Sequence, residues 1–164
     1  MEFLLPTRSH GTPLRPPELA EAFAARDDVP WAAAYAEQLG RLPFLPFHGT
    51  LKGYVDLVFR HEGLFWVVDY KSNHLGNTYA DYNNDHLHDA MVHHHYILQA
   101  HLYVLALHRY LRWRMPEYDY DQHMGGYRYA FLRGMTPERP GHGVYGDRPS
   151  RSCIDALDRL LEGT

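Results

Sequence analysis

Gly53-Tyr54-Val55-Asp56-Leu57-Val58-Phe59-Arg60-His61-Glu62-Gly63-Leu64-Phe65-Trp66-Val67-Val68-Asp69-Tyr70-Lys71 is the stretch whose reading decides the fold. Gly53–Phe59 and Leu64–Tyr70 are rich in β-branched and aromatic residues, and His61-Glu62-Gly63 between them is turn-like, the pattern of a β-hairpin. With the turn centred between Glu62 and Gly63, opposed residues have numbers that sum to 125, so Asp56 faces Asp69. Their Cβ atoms would then be about 4.5–5.5 Å apart. Side chains alternate along a strand, which puts Tyr54, Asp56, Val58, Phe65, Val67, Asp69 and Lys71 on one face. The other face holds Val55, Leu57, Phe59, Leu64, Trp66, Val68 and Tyr70, and is expected to be the buried one.

Two carboxylates about 5 Å apart repel by about 3 kcal/mol at an effective dielectric of ~20. Like charges opposed in a sheet are disfavoured unless something binds between them. A hard divalent cation with oxygen ligands fits, Mg²⁺ most naturally. Lys71 would lie beside it, able to orient or deprotonate a water or to stabilise charge developing on a phosphate. The structural alternative puts Asp69 and Lys71 where a strand emerges into solvent and pairs Asp56 with an arginine.

Working outward, residues 3–5 read as a short strand ending at Pro6, followed by a Pro/Gly-rich stretch to Pro17. Pro16-Pro17-Glu18 starts a helix, a second helix spans Trp31–Leu42, and Pro43 and Pro46 end it. Ser72–Asp85 is a polar loop. Asp85–Arg112 has no proline or glycine and apolar residues on nearly every face, which predicts one long, largely buried helix. Met115–Gly126 is a polar connection, Tyr127–Leu132 a strand, and Cys153, Ile154, Leu157, Leu160 and Leu161 mark a closing amphipathic helix. The order β-αα-ββ-α-β-α makes a mixed α/β domain. On the long helix Gln99 and Tyr103 are four apart and share a face. A glutamine in so apolar a helix needs hydrogen-bond partners, either in the core or in a site.

Composition sets the outer limits. The chain has 164 residues, the size of one domain, with 45% apolar and 22% charged residues, as in a soluble globular protein. No apolar run approaches the ~20 residues of a membrane span, and Met1–Pro6 is no signal peptide. The single cysteine, Cys153, fits a reducing, cytoplasmic setting. A net charge of −4 argues against holding nucleic acid by bulk charge alone. That charge is uneven. Residues 49–101 carry three basic against six acidic residues, and residues 102–151 eight arginines against five acidic residues. Arginines 109, 112, 114, 128 and 133 could form a basic wall beside the acidic pair, since arginine suits phosphate. The histidines of residues 86–108 include i, i+7 pairs such as His86/His93, but no cysteine or i, i+4 partner that would make a zinc site.

Several motifs in order carry a resemblance: Gly53–Phe59; Val68-Asp69-Tyr70-Lys71-Ser72-Asn73; Tyr96-x-Leu98-Gln99-x-x-Leu102-Tyr103-x-x-Ala106-Leu107-x-Arg109-Tyr110-Leu111; Gly125-Gly126; and Phe131-Leu132-Arg133-Gly134-Met135. Together they resemble the family of C-terminal nuclease domains of RecB proteins, the beta subunits of exodeoxyribonuclease V (the RecBCD helicase–nuclease), in the PD-(D/E)xK, restriction-endonuclease-like class. The resemblance implies an α/β fold with a mixed central sheet flanked by helices. It implies a Mg²⁺-dependent DNA nuclease, with Mn²⁺ as a possible substitute, acting in double-strand-break repair and recombination. Asp56 and Asp69 match the metal-binding aspartates, Lys71 the catalytic lysine, and the backbone carbonyl of Tyr70 a further metal ligand. Gln99 and Tyr103 match a Gln-x-x-x-Tyr motif that lies against the active site and contacts DNA. The implied partners are DNA, mainly single-stranded, the helicase region of a full-length chain, and the other exodeoxyribonuclease V subunits; no membrane is implied.

One departure follows from the comparison with that family. Its additional metal-ligating histidine sits on a helix before the first core strand, and this chain starts at that strand with Glu2-Phe3-Leu4-Leu5. The expectation is therefore a single domain over 1–164, truncated at the N-terminus relative to the family, with its core over about 49–146 and the first core helix missing. A rival expectation is a catalytically impaired, nuclease-like fragment serving as a DNA-binding or subunit-docking module.

Overall fold

The computed structural model describes residues 1–7, 13–24, 26, 28–43 and 49–162. In chain order the elements are β1 (Glu2–Pro6), α1 (Pro16–Ala24), α2 (Ala32–Gly40), β2 (Thr50–Tyr54), β3 (Leu57–His61), β4 (Leu64–Lys71), α3 (Asn84–His93), α4 (Tyr96–Arg114), α5 (Tyr120–His123), β5 (Met124–Phe131), β6 (Val144–Asp147) and α6 (Arg151–Glu162). The chain divides into two compact units, residues 2–53 with 149–164, and Met1 with 54–148.

In the first unit β1 pairs with β2, and Gly53 lies directly under the Phe3 ring, where a Cβ would come within 2.3 Å of Cζ. Helices α1 and α2 pack on each other through Leu19, Phe23, Tyr35 and Leu39, all buried, with Phe23 and Tyr35 edge to face at 5.5 Å. The amphipathic α6 was legible from its spacing and buries Cys153, Ile154, Leu157 and Leu161. Arg26, 1% exposed, is neutralised by a fork to Asp28, Nε to Oδ1 at 2.9 Å and Nη2 to Oδ2 at 2.6 Å. The expected stop at Pro46 and most of the loop after Thr7 lie outside the described residues.

The second unit is built on a four-stranded mixed sheet in the order β3-β4-β5-β6, antiparallel, parallel and antiparallel in turn. The β3–β4 register is the expected one: Leu57 faces Val68 and His61 faces Leu64. Glu62 and Gly63 both have positive φ, 49° and 84°, as a two-residue type I′ turn needs. The strand expected to run unbroken from Gly53 to Phe59 instead splits at Val55–Asp56. Asp56 leaves the ladder, and its carboxylate takes over the hydrogen bond to the Tyr70 N–H (2.9 Å).

The expected buried face of the hairpin holds only in part. Val55 and Val68 are buried on it but Leu57, Phe59 and Tyr70 are exposed, and Val67 and Asp69 on the opposite face are buried. The reason is α4, which packs on β4 and β5 and reaches the Asp69–Lys71 face. On the other face Arg128 lies over the Trp66 ring at 4.2 Å, and Phe59 stacks on Trp66 at 6.4 Å.

The single long helix is also corrected. α3 ends at His93, the His94 N–H bonds back to Ala90, and His95 adopts the left-handed conformation at φ 54°. Histidine forms helices weakly and tolerates that region better than a β-branched residue would. α4 then starts afresh at Tyr96, and its sides are apolar nearly all round, as expected.

One strand starts earlier than expected and one strand is additional. β5 begins at Met124, because Gly125 passes under Trp66 and Gly126, at φ +106°, approaches the Asp147 carbonyl where a Cβ would clash. Both positions demand glycine, and the β4–β5 register shifts beside them. β6 was not anticipated: it is a four-residue edge strand inside a Gly/Pro-rich stretch, and only its pairing with β5 reveals it. Among the described residues no helix is long and apolar enough to cross a membrane.

Candidate active site

The end of β4 sets three consecutive residues in place. Asp69 and Lys71 project toward α4, and Tyr70 between them projects to the exposed face. Asp69 is 5% exposed. Its carboxyl is pushed above the usual range, chiefly by burial; Lys71 pulls it down, and the negative charge of Asp56 pushes it up again. The expected direct pairing of Asp56 with Asp69 across the ladder is not formed: the register ends at Leu57 and Val68, and Asp56 turns its carboxylate to the Tyr70 N–H instead.

The Lys71 ammonium is the centre of the site. Nζ lies 2.6 Å from Asp69 Oδ2 and donates to Gln99 Oε1 at 3.0 Å. It sits 3.8 Å from the Tyr96 ring centroid and 5.1 Å from that of Tyr129, so two aromatic faces flank the cation. Gln99 is fixed in turn: Oε1 also accepts from the Tyr129 hydroxyl at 3.0 Å, and Nε2 donates to the Tyr103 hydroxyl at 2.9 Å. Burial pushes the Tyr103 phenol up to about 12 and Tyr129 higher still, so both stay protonated at any physiological pH. The hydrogen-bond partners that the sequence requires of Gln99 are therefore all found. Two of its partners, Tyr103 and Tyr129, are buried, and the third is the half-buried lysine.

From the sequence Tyr129 is one of a cluster with Tyr118, Tyr120 and Tyr127 that either stacks on unpaired bases or packs in the core; the structure buries it and turns its hydroxyl to Gln99. Asp69 and Tyr129 are register partners in the parallel β4–β5 ladder. The signal was a tyrosine in a strand whose neighbour carries the aspartate, but a non-local parallel pairing is not written in local pattern. Tyr96 also closes the site from outside, with its hydroxyl donating to Asn73 Oδ1 at 3.3 Å.

The arginine wall does not assemble around this centre. Arg109, Arg112 and Arg114 lie ten to fifteen residues along α4 from Gln99, about 15–22 Å at the helical rise. Arg128 stacks on Trp66, away from Lys71. Arg133 alone of the five is near, its Nε donating to the Ser72 carbonyl at 2.9 Å.

Among the described residues no three His, Cys, Asp or Glu side chains converge as a metal cluster. Two carboxylates and a main-chain carbonyl are nonetheless a hard, all-oxygen donor set of the kind Mg²⁺ or Mn²⁺ accepts. Asp69 Oδ2 is buried and, beyond the Lys71 contact, has no hydrogen-bond partner. A buried carboxylate oxygen with spare lone pairs fits a cation ligand. Asp56→Ala removes the acceptor of the Tyr70 N–H and is expected to lower metal-free stability by about 1 kcal/mol. Asp56→Asn keeps an acceptor and removes a negative charge beside Asp69, so its stability should match or exceed that of the parent. Equilibrium urea unfolding of both variants checks the pair of outcomes.

A family model of the PD-(D/E)XK nuclease superfamily matches residues 9–161. Curated relatives include the RecBCD enzyme subunit RecB of Escherichia coli, 48% identical over 122 residues, which are 74% of this chain and 10% of the relative. The protein of the same name in Haemophilus influenzae is 52% identical over 120 residues, 73% of this chain and 10% of the relative. That of Mycobacterium tuberculosis H37Rv is 47% identical over 137 residues, 78% of this chain and 12% of the relative. The chain spans about a tenth of the length of these relatives.

Proposed function

The chain belongs to the PD-(D/E)XK nuclease superfamily, and from that premise we propose that it hydrolyses DNA phosphodiester bonds with Mg²⁺ held by Asp56, Asp69 and the Tyr70 carbonyl. The observation that carries this reading is the Lys71 ammonium in contact with both the buried Asp69 carboxylate and the Gln99 amide. When bound, the cation would supply Lewis-acid charge to a phosphoryl oxygen and offset the two carboxylates. Lys71 presents a fixed positive charge, pre-positioned by Gln99, Tyr96 and Tyr129, where negative charge grows on the phosphate. Gln99 and Tyr103 shape the wall along which a single strand passes. The likeness to RecB subunits supports a role as the nuclease module of a helicase–nuclease in double-strand-break repair, working in the cytoplasm beside a helicase region and partner subunits.

Titration of the chain with Mg²⁺ or Mn²⁺ is expected to release or absorb heat and to raise the unfolding midpoint. At a hundredfold excess over the dissociation constant the gain is about 2.7 kcal/mol. The same protein should shorten a labelled single-stranded oligonucleotide in Mg²⁺ and stop when the cation is chelated. Absence of heat, thermal shift and cleavage together would leave the docking-module reading in its place.

A further inference from the structure

Directly after Lys71 the chain enters a segment, residues 72–82, that ends in a 3-10 helix over Tyr79–Tyr82 rather than continuing as the expected loop, and borders a cavity of about 530 Å³ together with Arg133. That volume is ample for a nucleotide-sized ligand. The cavity is joined to the site by Asn73, whose Oδ1 accepts from Tyr96, the residue whose ring faces the Lys71 ammonium. Its lining combines one cation, Arg133, with the His74 ring, the Asn77 amide and the Tyr79 ring.

The cavity is braced rather than collapsed. Tyr82 is buried, its hydroxyl accepting from the Leu75 N–H at 3.2 Å and donating to the Asn73 carbonyl at 3.4 Å. Gly134 lies against Tyr82, and Gly76 against Asp81, each so closely that a Cβ would come within 2.5 Å or less. Asp81 is the one carboxylate of the loop. Its Oδ2 accepts from the Thr78 N–H and hydroxyl, both at 2.8 Å, which hold the carboxyl below its usual range. The anion is thus occupied within the loop, and the cavity's cation stands without a carboxylate in its lining.

Tyr79 and Arg133 are both available to a ligand. Tyr79 is 48% exposed; the Arg139 guanidinium lies over its ring, 6.0 Å from the centroid, and the His142 ring stands perpendicular to it at 6.2 Å. Arg133 spends Nε on the Ser72 carbonyl, which fixes the guanidinium and leaves its two Nη groups for a phosphate.

We propose that this cavity is a nucleotide subsite, which takes one nucleotide of a single strand next to the reacting phosphate, its phosphate at Arg133 and its base against Tyr79. The proposal rests on the nuclease reading, because it is the Asn73–Tyr96–Lys71 link that makes the cavity part of the site. Exposed aromatics that stack a base, beside cations that follow the backbone, are how single strands are held without regard to sequence.

The test uses the chain carrying Lys71→Ala, so that a labelled dT10 stays intact, with binding read by fluorescence anisotropy in Ca²⁺. Tyr79→Ala is expected to weaken binding about tenfold and Tyr79→Phe to leave it unchanged. Arg133→Ala should weaken binding similarly and lower the slope of log K against log salt by about 0.7, the signature of one lost phosphate contact; Arg133→Lys should restore most of that slope. In the parent, an abasic site moved along the oligonucleotide should weaken binding at one position, and Tyr79→Ala should erase that position's effect. A merely structural Tyr79 or Arg133 would change the unfolding midpoint without these signatures. Unchanged affinity and slope in both alanine variants would overturn the subsite while leaving nuclease activity of the wild-type chain to stand. Failure of the parent to bind dT10, together with failure of the wild type to cleave it, would overturn both readings.

Discussion

Replacing Lys71 with alanine is expected to lower cleavage of single-stranded DNA in Mg²⁺ by about 10²–10³-fold while tightening divalent-cation binding by about tenfold. The loss follows from removing a fixed positive charge that acts on developing negative charge, an effect of that order in other electrostatic sites. The gain follows from the metal-free geometry. Lys71 Nζ sits 2.6 Å from Asp69 Oδ2, so the ammonium occupies an oxygen that a metal ion would use. A charge-assisted contact of this kind contributes about 1.5–3 kcal/mol, and releasing it frees the carboxylate for the cation. The fold should survive, because Gln99 keeps its bonds to Tyr103 and Tyr129. Calorimetric titration with Mn²⁺ and a gel-based cleavage assay on the same preparation read the two effects. Opposite movement separates this account from simple damage to the site, which would weaken both. Retained cleavage would remove Lys71 from the mechanism.

The parts of this site that were legible in advance are those set by short-range geometry. A two-residue turn at Glu62-Gly63 fixes the register of β3 and β4 residue by residue from His61–Leu64 to Leu57–Val68, whereas Asp56, just beyond it, leaves the ladder and caps the Tyr70 N–H. Strand alternation then carries Lys71 to the same face as Asp69. The Gln99–Tyr103 pair needed only helical spacing, and the structure joins them by a hydrogen bond.

What was not legible depends on elements far apart in the chain. The hairpin has two plausible inner faces, and the more apolar one was expected to be buried. α4 instead covers the face carrying Asp69 and Lys71, and joins it through the Lys71–Gln99 hydrogen bond. Tyr129 joins the site through a parallel ladder whose strands are separated by α3, α4 and α5. The break at His94–His95 had no glycine or proline to announce it. Yet without that break Tyr96 would not open a new helix beside Lys71. Net charge was a coarse guide for a related reason: the negative segment holds the two aspartates, whereas most of the arginines expected to flank them lie elsewhere.

Asp69→Asn should act on stability and on function in opposite directions. In the folded chain the Asp69 carboxyl titrates above its ordinary value because burial outweighs the help from Lys71. A carboxyl whose folded pKa is raised binds its proton more tightly in the folded than in the unfolded state, so stability falls as pH rises through that range. Below the unfolded value near 3.8 the group is neutral in both states, and aspartate and asparagine should be equally stable there. Above the raised value the wild type carries an ionised, buried carboxylate beside a second negative charge, and asparagine does not. Thermal unfolding in chelator should therefore give matching midpoints well below pH 3.8 and a midpoint for Asp69→Asn that pulls ahead of the wild type as pH climbs past that value. Adding Mg²⁺ should reverse the order, because the wild type gains a ligand-bound state that the amide binds poorly. Cleavage by the variant should fall by about 10³-fold or more, the scale of several kcal/mol of metal-dependent stabilisation. A variant less stable than wild type at pH 7 without metal would mean that the Asp69–Lys71 contact serves mainly as a structural ion pair. The opposite result would identify Asp69 as a residue that destabilises the empty protein and is stabilised only when a cation is bound.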